Sequence, residues 1–440
     1  MRILLILLMI QQWLVTTYAV ASNDITLRLH GSNTIGAELA PELVKGWFSK
    51  QGYKNLTSRE LAPQEMIISA VDRHGISKHV EIKSHGSGTA FKSLSRGIAD
   101  IGMASRPVKE KENNRLKSFG DMQSFDTEFV IGLDGIAVIV NKNNSVSSLE
   151  KNVIRQIFSG KITKWQQVDS SMTGPIQVYA RDNKSGTFDT FKSLVLGKKT
   201  QLASTAIRYE SNAILSDDVS MDKNGIGFVG LPYVRNAKAL AVAEQGTLAK
   251  KPKVFDIATE DYALARRLYM YVPKEMISES VNSFLNFCQS EEGQHIVDRT
   301  GFISQNLRAE KVVLNPGFPQ EYLQITENGT RLSLNFRFRK GTTKLDNKSL
   351  RDVKRLVEYL AKPANSNKKV MLFGFADSSE SLPVFSLDLS TYRVDWVSDL
   401  LIKNGIDPVR VRAYGDAIPV ASNEDPGGRH KNRRVEVWLQ

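Results

Sequence analysis

The feature that most restricts the fold is an alternation of short apolar runs with amphipathic stretches, which extends from Ile25 to about Asn306. Short apolar runs are typical of buried strands, whereas apolar residues repeated every three or four positions are typical of helices. The predicted elements include strands at 25–30, 80–84, 135–140 and 176–180, a helix at 39–48 and a helix from about residue 91. Strands that alternate with helices indicate an α/β fold.

A second region begins near Leu332, where apolar and polar residues alternate as in a half-buried strand. Its patterns then predict a helix at 349–360, a strand at 370–375, a helix at 389–401 and strands at 409–413 and 435–439. This order indicates a small α+β domain. At 440 residues the chain exceeds a single domain of roughly 150 residues. We therefore predict domains at 22–306 and 329–440, joined by a Pro- and Gly-containing linker or partly packed tail at 307–328.

The N-terminal residues have the composition of a secretory signal. Arg2 precedes the unbroken apolar run Ile3–Ile10, and Ala19–Ala21 is a small-x-small cleavage motif. The alternative is an uncleaved anchor, but the run is much shorter than the roughly 20 apolar residues of a membrane span. We expect residues 1–21 to be removed on export. Cys288 is the single cysteine, so no intramolecular disulfide is expected, and the segment Phe284–Cys288 (FLNFC) predicts a buried thiol on a helix face.

Three segments share one chemical pattern, in which glycine and hydroxyl residues follow a predicted strand and precede a predicted helix. They are Gly31–Gly36 (GSNTIG), Gly86–Thr89 (GSGT) and Arg181–Thr187 (RDNKSGT). Glycine lets the main chain approach a ligand, hydroxyls donate hydrogen bonds, and the first turn of a helix supplies further N–H donors and partial positive charge. Arg181 adds a full charge able to make a bidentate contact. Together these groups suit a small tetrahedral anion.

One acidic residue discriminates among anions. Asp100 lies in the segment Ile98–Arg106 (IADIGMASR). A carboxylate beside an anion is favourable when the ligand carries a proton that it can donate. Phosphate at neutral pH does so, whereas sulfate does not, and a buried acceptor that faces another acceptor costs several kcal/mol. The segment therefore favours phosphate over sulfate.

Taken singly, each turn could be an ordinary loop, Asp100 could end a strand, and Arg181 could lie on the surface. Their joint order, together with IFSGKITKW at 157–165 and NGIGF at 224–228, resembles the PstS family of periplasmic phosphate receptors over about 25–306. The resemblance implies a two-lobed, type II-like periplasmic binding protein with phosphate between the lobes. It assigns the ligand contacts to Ser32, Thr34, Ser87, Asp100, Arg181, Ser185, Gly186 and Thr187, and less directly to Ser105 and Arg106. His85 and Lys184 depart from the family pattern.

The C-terminal region combines an acid, an arginine and a basic end. Asp377 follows a predicted strand, Arg393 lies early in the next helix, and the chain closes on Gly428–Glu436 (GRHKNRRVE). A carboxylate and a guanidinium in one groove suit a zwitterion, although a plain Asp–Arg ion pair is the simpler interpretation.

From about Leu332 to Gln440 the chain resembles the OmpA-like peptidoglycan-binding domain. The resemblance implies that Asp377 and Arg393 contact diaminopimelate of the peptidoglycan stem, and that Arg429, Asn432 and Arg433 support the groove. Three positions depart from the family pattern, namely Ala376, Ser386 and the loop that contains Pro383.

Three functions follow as hypotheses. The first is an exported solute-binding protein that captures phosphate and attaches non-covalently to peptidoglycan in the periplasm, at the outer-membrane side. An ABC transporter permease is a candidate partner. The second is a phosphate-releasing enzyme, which the six histidines do not favour because they form no metal-site motif. The third is an envelope structural or adhesion protein. The net charge of +12 favours anions, export disfavours nucleic acid, and no cofactor or metal is expected.

Overall fold

The computed structural model describes residues 25–183, 185–339, 341–379, 383–424 and 426–440. The predicted signal at 1–21 and Lys184 lie outside the described residues. The strands are β1 (Ile25–Gly31), β2 (Lys54–Ala62), β3 (Glu65–Val71), β4 (Ser77–Lys83), β5 (Ile101–Ala104), β6 (Glu128–Val140), β7 (Ser148–Glu150), β8 (Gln177–Arg181), β9 (Ile207–Tyr209), β10 (Gly225–Gly230), β11 (Lys238–Ala239), β12 (Ala241–Ala243), β13 (Ala265–Tyr271), β14 (Ala309–Glu310), β15 (Thr330–Arg337), β16 (Val370–Phe375), β17 (Arg410–Ala413) and β18 (Arg434–Leu439).

The helices alternate with these strands, as predicted for an α/β fold. They are α1 (Ala40–Lys50), α2 (Ser87–Leu94), α3 (Glu110–Arg115), α4 (Lys151–Phe158), α5 (Gly186–Phe191), α6 (Asn212–Met221), α7 (Val254–Ala258), α8 (Glu279–Gln289), α9 (Glu291–Arg299), α10 (Gln320–Thr326), α11 (Asn347–Ala361), α12 (Pro383–Lys403) and α13 (Pro426–Asn432). A π-helical segment, Ile35–Leu39, leads into α1. Within the described ranges, no helix has the length and apolar character that crossing a membrane requires.

One sheet runs through residues 25–271, with the strand order β2-β3-β4-β1-β5-β13-β6-β10-β8-β9. β1 is parallel to β4 and β5, and β8 is parallel to β9 and β10. β6 and β13 are antiparallel neighbours in the centre. The second half of β6 continues beyond this pairing to β10. These two strands therefore link the lobe that contains β1 to the lobe that contains β8, which fits the predicted α/β class.

Each lobe and the C-terminal region has its own apolar core. The first core includes Leu29, Leu43, Phe48, Ile82, Met270 and Cys288. The second includes Val138, Phe158, Trp165, Phe191 and Phe228. The third includes Leu334, Leu356, Leu372, Val397 and Val437. The prediction that Cys288 is a buried thiol is confirmed, and burial raises the pKa of that thiol.

The C-terminal sheet has the order β14-β15-β18-β16-β17, with α11 and α12 packed on it. The predicted succession of strand, helix, strand, helix, strand and strand is present, with the short α13 before the last strand. The segment 307–328 contains β14 and α10. β14 pairs with β15, and Tyr322 of α10 is buried against β16 and β18. This segment is therefore packed on the C-terminal sheet.

A buried ionic interface joins the C-terminal region to the second lobe. Nε of Arg337 lies 2.7 Å from Oε2 of Glu260, and a guanidinium nitrogen of Arg267 lies 2.7 Å from Oδ2 of Asp346. Arg267 also donates to Glu260. Buried charges are tolerated when they are paired and hydrogen-bonded, as these are. The two parts of the chain are thus connected by specific polar contacts as well as by the chain itself.

Candidate anion site and C-terminal groove

The first predicted turn is built around the close approach of β1 to β5. Gly31 has φ +142°, and a Cβ atom there would lie 2.1 Å from the main-chain oxygen of Met103. The main-chain N–H of Ser32 donates to that same oxygen at 2.8 Å. Any side chain at position 31 would push the strands apart. The glycine thus sets Ser32, which is buried, at the carboxyl ends of both strands.

The second turn lies directly beside the first. The N–H of Gly86 donates to the main-chain oxygen of Gly31 at 2.7 Å, and Ser87 then begins α2. Oγ of Ser87 accepts a hydrogen bond from the main-chain N–H of Ser105 at 3.0 Å and lies 3.1 Å from its hydroxyl oxygen. The first and second predicted turns therefore lie next to each other and to the end of β5 in the first lobe.

The third turn meets the first across the cleft between the lobes. Ser185 caps α5, because its Oγ accepts a hydrogen bond from the N–H of Phe188 at 3.3 Å. A Cβ atom on Gly186 would lie 2.2 Å from Oγ1 of Thr34 and 2.6 Å from the main-chain nitrogen of Thr34. Glycine at position 186 is thus required for the two lobes to approach this closely. Thr187 follows in the first turn of α5.

Arg266 of β13 is a cation that contacts both lobes. One of its terminal nitrogens donates to Oγ1 of Thr34 at 2.8 Å and to the main-chain oxygen of Gly186 at 3.2 Å. Nη1 is 3.4 Å from the main-chain oxygen of Ser105. Asp134 of β6 accepts at 3.1 Å. Burial lowers the pKa of Arg266, and Asp134 opposes that shift.

Sequence reasoning did not identify Arg266. The available signal was a pair of adjacent arginines, Arg266 and Arg267, within the otherwise mostly apolar strand Ala265–Tyr271. Successive residues of a strand point to opposite faces, so such a pair must serve two different environments. The sequence pattern does not indicate which of the two arginines contacts a ligand.

Arg181 ends β8 next to the third turn. Its guanidinium donates to the main-chain oxygens of Tyr209, at 3.2 Å, and Glu210. Burial lowers its pKa. The direct guanidinium contact with Thr34 and Gly186 is made by Arg266 instead.

Asp100 does not join the three turns, which corrects its predicted position. Its carboxylate accepts from Nε of Arg28 at 3.1 Å, from a terminal nitrogen at 2.8 Å and from the main-chain N–H at 2.8 Å. Asp100 precedes β5, whereas the turns cluster at the other end of that strand, beside Ser105. The physical reason is the direction of the strand, which separates Asp100 from Ser105 by five residues and so by roughly 16 Å. Asp134 supplies a carboxylate beside the turns, because it contacts Arg266.

Two further residues that the sequence singled out, Arg106 and His85, each contact a carboxylate. Arg106 makes a bidentate contact with Glu112 at 2.7 and 2.8 Å. His85 lies 2.8 Å from a carboxylate oxygen of Glu65. Neither pair includes a residue of the three turns.

In the C-terminal domain, Asp377 is fully buried after β16. Its carboxylate accepts from the hydroxyl of Ser379 at 2.7 Å and from Nη1 of Arg433 at 2.9 Å. Burial would raise the pKa of Asp377, but these donors outweigh it and leave the pKa below its ordinary value. The carboxylate is therefore held ionised.

Arg393 is buried near the same place. Its guanidinium carbon lies 5.3 Å from the centre of the Phe338 ring, and its nitrogens lie 3.4 Å from the main-chain oxygen of Thr342. The main-chain oxygen of Phe338 accepts from Nε of Arg433 at 3.3 Å. Phe338 therefore connects Arg393 with the Asp377–Arg433 pair.

The two other predicted groove residues shape a neighbouring loop. The amide of Asn432 accepts from the main-chain N–H groups of Val420 and Ala421 at 2.9 and 3.1 Å, and it donates to Asn423 at 2.7 Å. Arg429 donates to the main-chain oxygen of Asn423 at 2.8 Å. Both side chains thus brace the loop at 420–423 rather than face Asp377.

Comparisons with known proteins agree with this organisation. Residues 63–292 match the model of the PBP superfamily domain, and residues 337–433 match that of the OmpA family. The protein SphX of Synechococcus elongatus is 34% identical over 236 residues, which cover 51% of this chain and 68% of that protein. The phosphate-binding protein PstS of Staphylococcus aureus strain USA300 is 30% identical over 227 residues, which cover 50% of this chain and 67% of that protein.

Solved structures share the two-lobed fold. An ABC-type phosphate transport receptor from Vibrio cholerae has a TM-score of 0.50 at 24% identity, covering 63% of this chain and 99% of its own. A possible phosphate binding protein from Planctomyces limnophilus has a TM-score of 0.51 at 23% identity, covering 63% and 92%. The resemblances predicted from the turns and from the basic C-terminal end are confirmed. The chain belongs to the PBP superfamily, and its residues 337–433 form an OmpA family domain.

Proposed function

We propose that this protein is an exported solute-binding protein, not an enzyme, that captures inorganic phosphate between its two α/β lobes. The observation that carries this proposal is the contact of Arg266 with Thr34 of one lobe and Gly186 of the other. A buried guanidinium among serine and threonine hydroxyls suits a tetrahedral oxyanion. The name of the PstS relative, a phosphate-binding protein, supports phosphate as that anion.

The proposed ligand contacts keep most of the predicted residues. They are Ser32, Thr34, Ser87, Arg181, Ser185, Gly186 and Thr187, to which we add Arg266. We assign the role first given to Asp100 to Asp134, whose carboxylate lies 3.1 Å from Arg266. A protonated phosphate oxygen can donate to a carboxylate there, whereas sulfate cannot.

Phosphate would act by stabilising the closed arrangement of the lobes. Gly186 and Thr34 belong to different lobes, and a Cβ atom on Gly186 would lie 2.2 Å from Oγ1 of Thr34. A ligand that contacts hydroxyls from both sides binds the closed arrangement better than an open one, so it shifts the population toward closure. This is the ordinary mechanism of a hinge-bending receptor.

Calorimetric titration of the ligand-free protein with phosphate and then sulfate tests this assignment. We expect phosphate to bind and sulfate to be excluded. Asp134→Asn should reduce the preference for phosphate about ten-fold or more, because the acceptor for the phosphate proton is lost. Asp100→Asn is the matched control, since it removes a carboxylate that is paired with Arg28, and it should leave both titrations unchanged. If Asp100→Asn abolishes the preference instead, our assignment of Asp134 is wrong.

We further propose that the C-terminal domain attaches the protein to peptidoglycan. Asp377 would take the ammonium group of a diaminopimelate stem and Arg393 its carboxylate. The proposal rests on the proximity of the two side chains around Phe338 and on the ionised state of Asp377. It implies a domain division at about 306 and 329, and a periplasmic, wall-associated location at the outer-membrane side, with an ABC transporter permease as a further candidate partner.

Co-sedimentation with purified sacculi tests the attachment. Asp377→Asn should lower the bound fraction strongly, with an apparent affinity about ten-fold weaker or more, because a charge-assisted contact is removed. Asp399→Asn is the matched control, since it makes the same change at an exposed position of α12. Equal sedimentation of the two variants would contradict the proposed contact and leave phosphate capture unaffected.

A further inference from the structure

Helix α12 of the C-terminal domain carries a row of large apolar side chains on one side. Phe385, Leu389, Tyr392 and Trp396 follow one another at intervals of four, three and four residues. Such intervals place side chains on one face of an α-helix. We call these four residues the aromatic stripe. It borders the face of α12 that packs into the C-terminal core.

Two members of the aromatic stripe are largely open to solvent. Phe385 is 52% exposed and Tyr392 is 67% exposed, whereas Leu389 and Trp396 are half-buried and connect them into one surface. Single exposed apolar side chains are ordinary, but contiguous ones are typical of a surface where another molecule binds. The exposed rings of the stripe are therefore accessible to a partner from solvent.

The charges beside the aromatic stripe favour a neutral partner that is rich in hydroxyl groups. Asp388 follows Phe385 by three residues, and Asp395 follows Tyr392 by three, so an exposed carboxylate flanks each exposed ring. Carboxylates accept hydrogen bonds from hydroxyls, whereas they repel the anionic surface of a membrane. One face of a sugar ring presents C–H groups, which pack on an aromatic ring as other apolar groups do. The stripe is therefore suited to a sugar chain rather than to a lipid surface.

The position of the aromatic stripe connects it with the peptidoglycan groove. Tyr392 directly precedes Arg393, the proposed partner of the diaminopimelate carboxylate. In a peptidoglycan stem two residues separate diaminopimelate from the glycan strand, so a stem bound in the groove holds its sugar within roughly 10 Å. Phe385 precedes Tyr392 by seven residues, which is about 10 Å along the helix axis and comparable with the length of a disaccharide.

We propose that the aromatic stripe binds the glycan strand of peptidoglycan, with one sugar ring packed on Tyr392 and the next one toward Phe385. This inference rests on the proposed attachment through Asp377 and Arg393, to which it adds a sugar subsite. Full affinity then requires a stem that is still joined to its glycan strand. The protein therefore prefers intact cell wall to stem peptides that have been released from it.

Calorimetry of the full protein with two probes tests the proposal. One probe is the tetrapeptide stem that contains diaminopimelate, and the other is the same stem joined to its N-acetylglucosaminyl-N-acetylmuramyl disaccharide. We expect the disaccharide to raise the affinity about ten-fold, which is the size of effect that one or two aromatic contacts produce. Equal affinities of the two probes would overturn the glycan site and leave the attachment through the stem intact. If neither probe binds, the attachment itself is contradicted, and the glycan site with it.

Substitutions on α12 locate the sugar contact. Tyr392→Ala should reduce the ratio of the two affinities to about one, whereas Tyr392→Phe keeps the ring and should retain most of the ratio. Ile402→Ala is the matched control, because it removes a 51% exposed apolar side chain from the same helix outside the stripe and should leave the ratio unchanged. A ratio that persists in Tyr392→Ala would overturn the proposal. A change in the molecular mass of that variant, measured by light scattering, would assign the stripe to a contact between copies of the chain and would overturn it as well.

Discussion

Arg266 and Arg267 are neighbours on β13 with almost equal side-chain exposure, 8% and 9%, but they differ in the amount of negative charge around them. Arg267 contacts two carboxylates, those of Glu260 and Asp346. Arg266 contacts the carboxylate of Asp134, and its other acceptors are uncharged hydroxyl and carbonyl oxygens. One strand therefore presents two buried guanidinium groups with different charge balance.

The pKa values of the two arginines are shifted in opposite directions. Burial lowers the pKa of both arginines, but Asp346 and Glu260 outweigh it at Arg267, whose pKa lies well above its ordinary value. At Arg266 burial prevails over Asp134, and the pKa is lowered. A buried arginine with surplus negative charge around it is a structural element of an interface. A buried arginine with little negative charge around it is stabilised when an anion binds. This difference in charge balance distinguishes the ligand site from the domain interface.

The largest effect on stability should come from replacing Arg267, whose charge is balanced by two carboxylates. Arg267→Met leaves the carboxylates of Glu260 and Asp346 buried with fewer partners, so it should lower the free energy of unfolding by about 3–5 kcal/mol. Urea denaturation, followed by circular dichroism, measures it. Lys354→Met is the control, because Lys354 is 83% exposed and its pair with Glu358 should contribute little. A loss below about 1 kcal/mol in Arg267→Met would mean that the interface pairs are not stabilising.

Phosphate binding should be more sensitive to a change at Arg266 than to a change at Arg267. Arg266→Gln should weaken phosphate binding about a hundred-fold, because truncating a buried charge that meets an anion typically costs more than about 2 kcal/mol. Arg267→Lys keeps the charge at the interface and should leave phosphate affinity within about two-fold. Calorimetry measures both. If Arg181→Gln reduces affinity more than Arg266→Gln does, Arg181 is the principal cation of the site, as the family resemblance implied.

The local parts of the anion site could be predicted from the sequence because they are encoded within a few residues. Gly31 precedes Ser32, and Ser185 precedes Gly186, and each pair supplies its own turn and helix start. The position of Asp100 could not be derived this way. Its segment also contains Ser105, which does reach the site, and the direction of β5 decides which end of the segment lies there.

Contacts between residues that are far apart in the sequence could not be predicted from local sequence patterns. Arg266 reaches Thr34 across 232 positions, and Arg337 reaches Glu260 across 77. Each arginine has ordinary neighbours in sequence, so its partner is set by the strand order and by how the two domains pack. The resemblance to two families predicted the domains themselves, but a resemblance to each family separately carries no information about the interface between them.

A smaller effect on the free energy of unfolding should develop gradually as the pH falls. Burial would raise the pKa of Glu260, yet Arg267 and Arg337 outweigh it and lower that pKa, and Asp346 is lowered in the same way. Carboxyl groups with depressed folded-state pKa values contribute stability that is present above their unfolded values of about 4 and is lost as the pH falls through the folded ones. The urea midpoint should thus be nearly constant from about pH 7 to 5 and fall below about pH 4. Glu260→Gln should flatten that fall, and an equally steep fall in this variant would assign the acid sensitivity to other groups.

The smallest effect should come from an exposed pair that joins the C-terminal domain to α9 of the first lobe. Nζ of Lys362 lies 2.8 Å from Oε1 of Glu291, but the two side chains are 49% and 59% exposed. Water screens such a pair, and ordering two long side chains offsets most of its attraction, so Lys362→Ala should change the free energy of unfolding by less than about 0.5 kcal/mol. Urea denaturation measures the change beside Arg267→Met. A loss comparable with that of Arg267→Met would mean that position in the interface, rather than burial and charge balance, determines the contribution of an ion pair here.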